Sequence, residues 1–395
     1  MISVDEAMQL VLQHKMNLGT EEVPLLQAVG RVLAQEVTAD RDLPPFDRVT
    51  MDGIAIKAQS FASGTRSFRI EKIQAAGSPQ TALAVAENCI EVMTGAMLPA
   101  NTDAVVPYEV CEIQNQRATV QAEKVMPGQN IHRQGSDSTA GSILVSGGVT
   151  VTPAIIGTLA SVGMHQAKVY RMPRVAICST GDELVDVAQT PLPHQIRRSN
   201  AYVLAAALQE AKVPVSLFHL PDEPETMQQE LAAILPQHEV LLLSGAVSKG
   251  KFDFLPLVLE KLGLATVFHK IAQKPGKPML FGTLPEGKVV FGFPGNPVST
   301  YVCFMLYFWP WLKASLGLRI QPQKAQLAQP ISFPPALGYH VPVTLTNENG
   351  VLKALPVKTS GSGDLTSLYK ADALLSLPAD QDEFKAGESF PLTLL

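Results

Sequence analysis

Cysteine is scarce in this 395-residue chain: Cys89, Cys111, Cys178 and Cys303 are the only four, far apart and with no C-x-x-C pair. That spacing excludes a dense disulfide framework and a cysteine-based zinc site, and the four read as reduced thiols. A cationic excess is missing too, the formal net charge being -5. Nucleic acid therefore finds no broad basic surface, and any anionic substrate has to be met by a local cluster. No G-x-G-x-x-G or Walker sequence occurs, so the common nucleotide signatures are absent. The longest apolar stretch, Val302 to Leu312 with Pro310 inside it, is opened by Pro297 and closed by Lys313. A bilayer span needs roughly 20 apolar residues, so this stretch reads as a buried helix and no membrane is expected. In place of a basic leader and cleavage site, Ser3 and Glu6 form a capping-box pattern ahead of Ala7, Met8, Val11 and Leu12 at helical spacing. A cytoplasmic protein is expected. There is no fixed-period repeat and no low-complexity tail.

What is present is a chain with 46% hydrophobic and 17% charged residues, too long for one compact core, so that about two to four domains are expected. From Pro173 to Leu318 apolar strand-like runs alternate with helical patterns, the signature of a parallel sheet covered by helices. Strands are predicted at Arg174–Ser179, Val213–Leu220, Val240–Ser244, Leu264–Ala272 and Lys288–Phe293. Helices are predicted at Ser199–Lys212, Pro224–Leu235 and Asp253–Leu262, with the long apolar helix last. Ligands of such sheets sit beyond the carboxyl ends of the strands, which directs attention to the loops after Ser179, Leu220, Ser244 and Phe293. Residues near 46 to 137 offer short β runs such as Ala104–Pro107. After Leu318, the alternation in His340–Thr346, the turn-like Asn349-Gly350 and the terminal Phe390–Leu395 predict a second small β domain.

Those loops carry chemistry. Ser179-Thr180-Gly181-Asp182-Glu183-Leu184 brings two hydroxyls, a glycine and two carboxylates to one strand end, where backbone N–H groups can approach a phosphate and acids can hold Mg²⁺. The same hexapeptide also fits a loop in which Asp182 caps the next turn. Ser244-Gly245-Ala246-Val247-Ser248-Lys249-Gly250, with Asp253 following, repeats the pattern on another strand. Asp253 and Asp222, taken singly, are more often helix caps than metal ligands, and their shared position at strand ends is what favours function. Lys270, Lys274 and Lys277 gather around Lys274-Pro275-Gly276-Lys277-Pro278, a stiff loop able to hold an oxyanion or simply a surface turn. Pro294-Gly295-Asn296-Pro297-Val298-Ser299 leads a strand straight into the long helix, aiming free N–H groups at the same edge, or serves as a tight turn with Pro297 at the first helical position. Asp52-Gly53 and Thr94-Gly95 fit ordinary hairpin chemistry equally well.

Taken together, the order and spacing of these motifs resemble the MoeA and gephyrin E-domain family of molybdopterin molybdenumtransferases. Pro45-Phe46-Asp47, Met51-Asp52-Gly53, Met93-Thr94-Gly95-Ala96, Arg133-x-Gly135-x-Asp137 and Ser360 to Ser367 extend the likeness over nearly the whole chain. The resemblance implies an elongated domain from 1–44 and 138–172, an inserted β-rich domain at 45–137, an α/β molybdopterin-binding domain at 173–318 and a β domain at 319–395. It implies a homodimer whose active site lies between subunits, closed by Asp52, Thr94 and Asp137. It further implies release of AMP from adenylylated molybdopterin and insertion of molybdate into the dithiolene, assisted by Mg²⁺. Asp52, Glu183, Asp222, Asp253, Lys270 and Lys274 would be catalytic, with Glu183, Asp222 and Asp253 holding the metal. Thr94, Asp137, Ser179, Thr180, Gly181, Asp182, Ser244, Gly245, Ser248, Lys277, Pro294, Gly295, Asn296, Pro297, Ser299 and Ser362 would bind substrate. A transient contact with a molybdopterin adenylyltransferase is also expected.

The chain departs from the family pattern in several places: Arg198 stands where a carboxylate is frequent, Ala246 where a second glycine is usual, Ile54 where an aromatic often follows Asp-Gly, and Arg48 where a small polar residue is usual. Arg198 reverses a charge and so bears on which anionic group is held. Two other functions fit part of the pattern: a molybdopterin-binding or scaffold module without turnover, and molybdopterin adenylylation.

Overall fold

The computed structural model describes residues 1–245 and 254–395. Two compact units form: Met1–Ala34, Gly148–Thr152 and Gln166–Leu395 make the first, and Gln35–Gly147 with Pro153–His165 the second.

In the first unit, helix α1 (Val4–Gln13) starts where the sequence predicts it. Ser3 accepts a hydrogen bond from the Glu6 N–H, and Ala7 and Val11 are the buried positions. The centre is a six-stranded sheet built from β1 (Val175–Thr180), β2 (Val215–Leu220), β3 (Val240–Ser244), β4 (Ala265–His269), β5 (Leu280–Thr283) and β6 (Val289–Phe293). Its order is β2-β1-β3-β6-β5-β4. The β2-β1-β3-β6 stretch is parallel, whereas β5 pairs antiparallel with both β6 and β4. Strand β5 is the element the sequence hides: its four residues are too few to show a period.

Helices cover both faces of this sheet, so its central strands β1, β3 and β6 are buried at every position instead of alternating. On one face Val175, Ile177, Leu242 and Phe291 pack with Leu204 and Leu208 of helix α2 (Ser199–Glu210) and with the long helix. On the other, Ala176, Cys178, Leu241 and Val290 pack with Met227 and Leu231 of helix α3 (Pro224–Ile234) and with Leu255 and Leu259 of helix α4 (Leu255–Lys261). The long helix runs from Pro297 to Ser315 as α5 (Pro297–Cys303), a π turn (Phe304–Phe308) and α6 (Trp309–Ser315). In the π turn the Trp309 N–H reaches back to the Phe304 carbonyl. Pro310 follows at once; it has no N–H to give, and the wide turn relieves the clash its ring would make with a carbonyl one turn back. Among the described residues no helix is long and apolar enough to cross a membrane.

Beyond it, β7 (Gln323–Leu327), β8 (Gly338–Glu348), β9 (Val351–Pro356), β10 (Ala373–Leu377) and β11 (Ser389–Leu394) pair in a ring that closes where β10 meets β8. The two-residue strand Gln273–Lys274 adds to the edge of β8. The second unit carries a six-stranded sheet in the order 104–107, 53–56, 89–92, 67–74, 117–120, 111–114. Alternate residues along each strand fill opposite faces there, Ile54, Ile56 and Val106 on one and Ala55, Ile90 and Val105 on the other. All four cysteines are free, and burial pushes the thiols of Cys89 and Cys178 up to about 12.

Candidate functional site

In the first unit the chain runs from β1 to β2 on one side and then to β3 on the other, so the sheet's switch point lies between β1 and β3. A cavity of about 410 Å³ opens there, lined by Ser179, Thr180, Glu183, Ser244, Gly245, Gly295, Asn296 and Pro297 among the residues expected from sequence. Thr180 reaches the Ser244 carbonyl through its hydroxyl at 3.4 Å, and the Gly245 N–H donates to Phe293 at 3.1 Å, tying three strand ends together. Gly181 has φ +129°, and a Cβ on it would fall 2.3 Å from Oε2 of Glu183. Only glycine lets that carboxylate fold back over the strand end.

Asp182 accepts the Asp222 N–H at 3.2 Å, which joins the loops after β1 and β2. Of the three expected metal ligands, Glu183 lines the cavity, Asp222 does not, and Asp253 lies outside the described residues, as does Ser248. Among the described residues no group of three or more His, Cys, Asp or Glu stands together to hold a metal ion.

Arg198 and Asn200 also line this cavity, and the binding-residue expectation did not include them. Arg198, the charge-reversed position, pairs through Nη2 with Asp186, whose pKa is lowered by the Ala188 N–H and by Arg198. Asn200 donates to the Gly295 carbonyl at 2.7 Å and to Thr300 Oγ1 at 3.2 Å, and Thr300 in turn donates to the Pro294 carbonyl at 2.6 Å. Ser179 Oγ, Arg198 Nε and Asn200 Oδ1 are buried without a hydrogen-bond partner among the described residues. Buried polar groups are rarely left so, and this wall offers both donors and an acceptor to whatever it receives. Position in the first turn of α2 was the available signal for Asn200; nothing local points to Asp186.

A second cavity, about 590 Å³, is lined by Lys274, Lys277, Pro294, Asn296, Ser299 and Ser362 from the expected set, together with Tyr339, His340 and Ser360. Its described walls carry two ammonium side chains and no carboxylate. Lys274 Nζ stands 5.4 Å from the Phe333 ring centre and 6.0 Å from that of Tyr339, two rings stacked at 4.2 Å. Those faces hold its position without neutralising it. Asn296 donates to Ser362 Oγ at 2.8 Å, and the Val298 N–H donates to the Ser362 carbonyl at 3.1 Å, so the loop at 359–363 is docked on the start of α5. Lys270 does not join these lysines; it lines neither cavity and occupies a positive-φ position beside Met279. Asn296 borders both cavities, which therefore meet at the Pro294–Pro297 turn.

The remaining expected residues belong to the second unit. Asp52 Oδ1 accepts the Thr94 N–H at 2.6 Å and its hydroxyl at 2.7 Å, and these bonds lower the Asp52 pKa. Asp137 contacts His132 Nε2 at 2.8 Å, while His132 Nδ1 faces Arg48 at 2.9 Å. Since the guanidinium can only donate, Nδ1 accepts and Nε2 carries the hydrogen given to Asp137.

Known proteins resemble the chain along its whole length. Residues 2–163 match the family described as the MoeA N-terminal region (domain I and II), residues 176–314 the probable molybdopterin binding domain, and residues 324–395 the MoeA C-terminal region (domain IV). A Synechocystis protein named molybdopterin molybdenumtransferase is 40% identical, with 99% of each chain covered. A protein of that name from Bacillus subtilis is 33% identical over 100% of this chain and 94% of its own. The crystal structure of a molybdopterin biosynthesis MoeA protein from Pyrococcus horikoshii superposes with a TM-score of 0.83 at 30% identity, covering 100% of this chain and 98% of that one.

Proposed function

The chain belongs to the MoeA family of molybdopterin molybdenumtransferases, and from that premise we propose that it is a transferase of molybdenum cofactor biosynthesis, inserting molybdenum into molybdopterin. In the finer form of the proposal, adenylylated molybdopterin loses AMP by attack of water on the phosphoryl group, and molybdate joins the freed dithiolene.

The observation that carries this reading is the meeting of two unlike cavities at one turn, the first bordered by Glu183 and hydroxyls, the second by Lys274 and Lys277 with no carboxylate among the described residues. An ammonium pair in a wall free of acids favours an oxyanion, and the hydroxyl-glycine strand ends favour a phosphoryl group. Substrate spanning the turn would set the dithiolene beside the bound oxyanion, which is catalysis by proximity. A divalent cation on Glu183, Asp222 and Asp253 would polarise the phosphoryl oxygen. The described residues do not by themselves assemble that ligand set.

The expected domain division, 1–44 with 138–172, 45–137, 173–318 and 319–395, also belongs to the proposal, as do a cytoplasmic location and a passing contact with the adenylyltransferase that supplies the substrate. So does a homodimer in which Asp52, Thr94 and Asp137 of one protomer complete the site of its partner. Two variants, Asp52→Ala and Lys274→Ala, then restore each other: a refolded equal mixture should regain about a quarter of wild-type AMP release, since half the dimers are mixed and one site in each is intact. No recovery would place both groups in a single protomer's site.

The deciding assay gives the purified protein adenylylated molybdopterin, Mg²⁺ and molybdate, and follows AMP and active cofactor. AMP release that depends on molybdate is the expected result. Substrate binding without release would mark a binding module, and consumption of ATP with molybdopterin an adenylyltransferase.

A further inference from the structure

The lysine loop is gripped from below by a side chain that no motif includes. Gln273 is fully buried and precedes Lys274. Its Nε2 donates to the Pro275 carbonyl at 3.0 Å, to the Gly276 carbonyl at 3.4 Å and towards Cys303 Sγ at 3.5 Å. Its Oε1 accepts the hydroxyl of Tyr307, itself fully buried in the π turn of the long helix. Cys303 adds a further donor, its thiol lying 3.6 Å from the Gly276 carbonyl.

An amide is nearly symmetric in shape, and its two ends differ only in chemistry. Were Gln273 reversed, its oxygen would face two loop carbonyls and repel them. The Tyr307 hydroxyl stabilises the orientation in which nitrogen faces the loop. Burial holds the Tyr307 phenol protonated, its pKa well above 10, so that it remains a donor. The loop has no slack to take up an error. Gly276 sits at φ +89°, and a Cβ there would lie 2.4 Å from Cys303 Sγ and 2.8 Å from Gln273 Nε2. Through two successive peptide carbonyls, the amide orientation fixes the backbone between the two lysines of the acid-free cavity.

We propose that Gln273, oriented by Tyr307, is a positioning residue that holds the Lys274–Lys277 loop in the shape that receives a tetrahedral oxyanion. This rests on the oxyanion reading of that cavity, and the test separates the two. Molybdate is titrated calorimetrically into the full-length protein and into Tyr307→Phe, Gln273→Leu and the double variant. Amide exchange of the peptide spanning 270–279 is followed in the absence of any anion.

Tyr307→Phe keeps the aromatic packing and is expected to weaken molybdate binding about tenfold, the size of one buried acceptor left unpaired. It should also speed exchange in the loop. Gln273→Leu should do at least as much, and the double variant no more than Gln273→Leu alone, since the hydroxyl then has nothing to orient. Trp311→Phe is the control: it removes a bond from the same helix to the His14 carbonyl at 2.9 Å, on a residue lining neither cavity. Its melting temperature should fall with molybdate affinity unchanged.

Loop exchange and affinity in Tyr307→Phe equal to wild type would overturn the inference while leaving the oxyanion reading in place. An equal loss of affinity in Trp311→Phe would overturn it as well, because any weakening of the helix would then suffice. If wild-type protein binds no molybdate, the oxyanion reading falls and takes the receiving role with it, and the exchange data still report whether Tyr307 orders the loop.

Discussion

His340 should make the C-terminal barrel acid-labile in a window that no carboxylate covers. The residue sits in β8 at 2% exposure, its Nδ1 is 2.9 Å from Ser376 Oγ, and its Nε2 has no partner among the described residues. Burial therefore lowers its pKa from 6.5 to about 4. The sign follows from linkage: the folded pKa is depressed, so the stabilisation is complete above pH 6.5 and is lost as pH falls through 4, because the unfolded chain takes up a proton that the folded one refuses. Between pH 7.5 and 4.5 the loss amounts to about 2.5 kcal/mol at 1.36 kcal/mol per pKa unit. Asp52, Asp364 and Glu239, whose pKa values are lowered from 3.8 or 4.5, give up their stabilisation only as pH falls below those ordinary values. Replacing His340 by leucine removes the titrating group and leaves the half-buried Ser376 hydroxyl able to reach solvent. Urea unfolding at pH 7.5, 6.0, 5.0 and 4.5, with exchange in β8 and β10 identifying the barrel's transition, should show wild type weakening and His340→Leu nearly flat. Equal acid slopes in the two proteins would refute the reasoning, since the lability would then come from other groups.

Three further outcomes are expected. Lys274→Ala, which removes one of two ammonium groups from the acid-free wall, should raise the molybdate concentration for half-maximal cofactor formation about tenfold or more, and an unchanged molybdate response would remove Lys274 from that role. Asp52→Ala breaks two exposed bonds to Thr94 and should abolish most AMP release while the melting temperature moves by only about 2 °C; a large drop in melting temperature would make the residue structural. Gly181→Ala puts a methyl 2.3 Å from Glu183 Oε2 at φ +129°, so the cation requirement for AMP release should rise about fivefold or more as Glu183 is displaced, and an unaltered cation titration would detach Glu183 from the metal.

The parts of the fold that the sequence foretold are those set by local rules. Ser3 and Glu6 mark the start of α1 because a cap is decided within four residues. The Asn349-Gly350 turn is legible because both residues take positive φ, 54° and 84°, as a tight hairpin requires. Strands β1, β3 and β6 are legible because apolar side chains are needed on both faces of a covered sheet. Strand β5 was hidden since its case rests on pairing with β4 and β6 and on no pattern of its own. The π turn was hidden for a related reason: Pro310 announces a disturbance in a helix but not the form that relieves it.

At the site the same division applies with greater force. Hydroxyl-glycine loops and a lysine-proline loop advertise themselves, because a phosphoryl or oxyanion group must be met by small residues and fixed cations in short order along the chain. What selects among several such loops is pairing over long separations. Lys274 and Lys270 are four residues apart and chemically alike, yet of the two only Lys274 lines the larger cavity, through its place beside β8 and the Phe333 and Tyr339 rings. Arg198 shows the converse. Read along the chain it is a charge reversal that threatens the binding of an anion, but Asp186, twelve residues earlier, meets it across the paired segments Leu184–Val185 and Ile196–Arg197. The pair is close to neutral, so the reversed charge is largely spent within the protein, and what Arg198 leaves unpaired at the cavity is the directional donor Nε. A substitution that looks electrostatic in the sequence is, in the folded chain, a change in hydrogen-bond geometry.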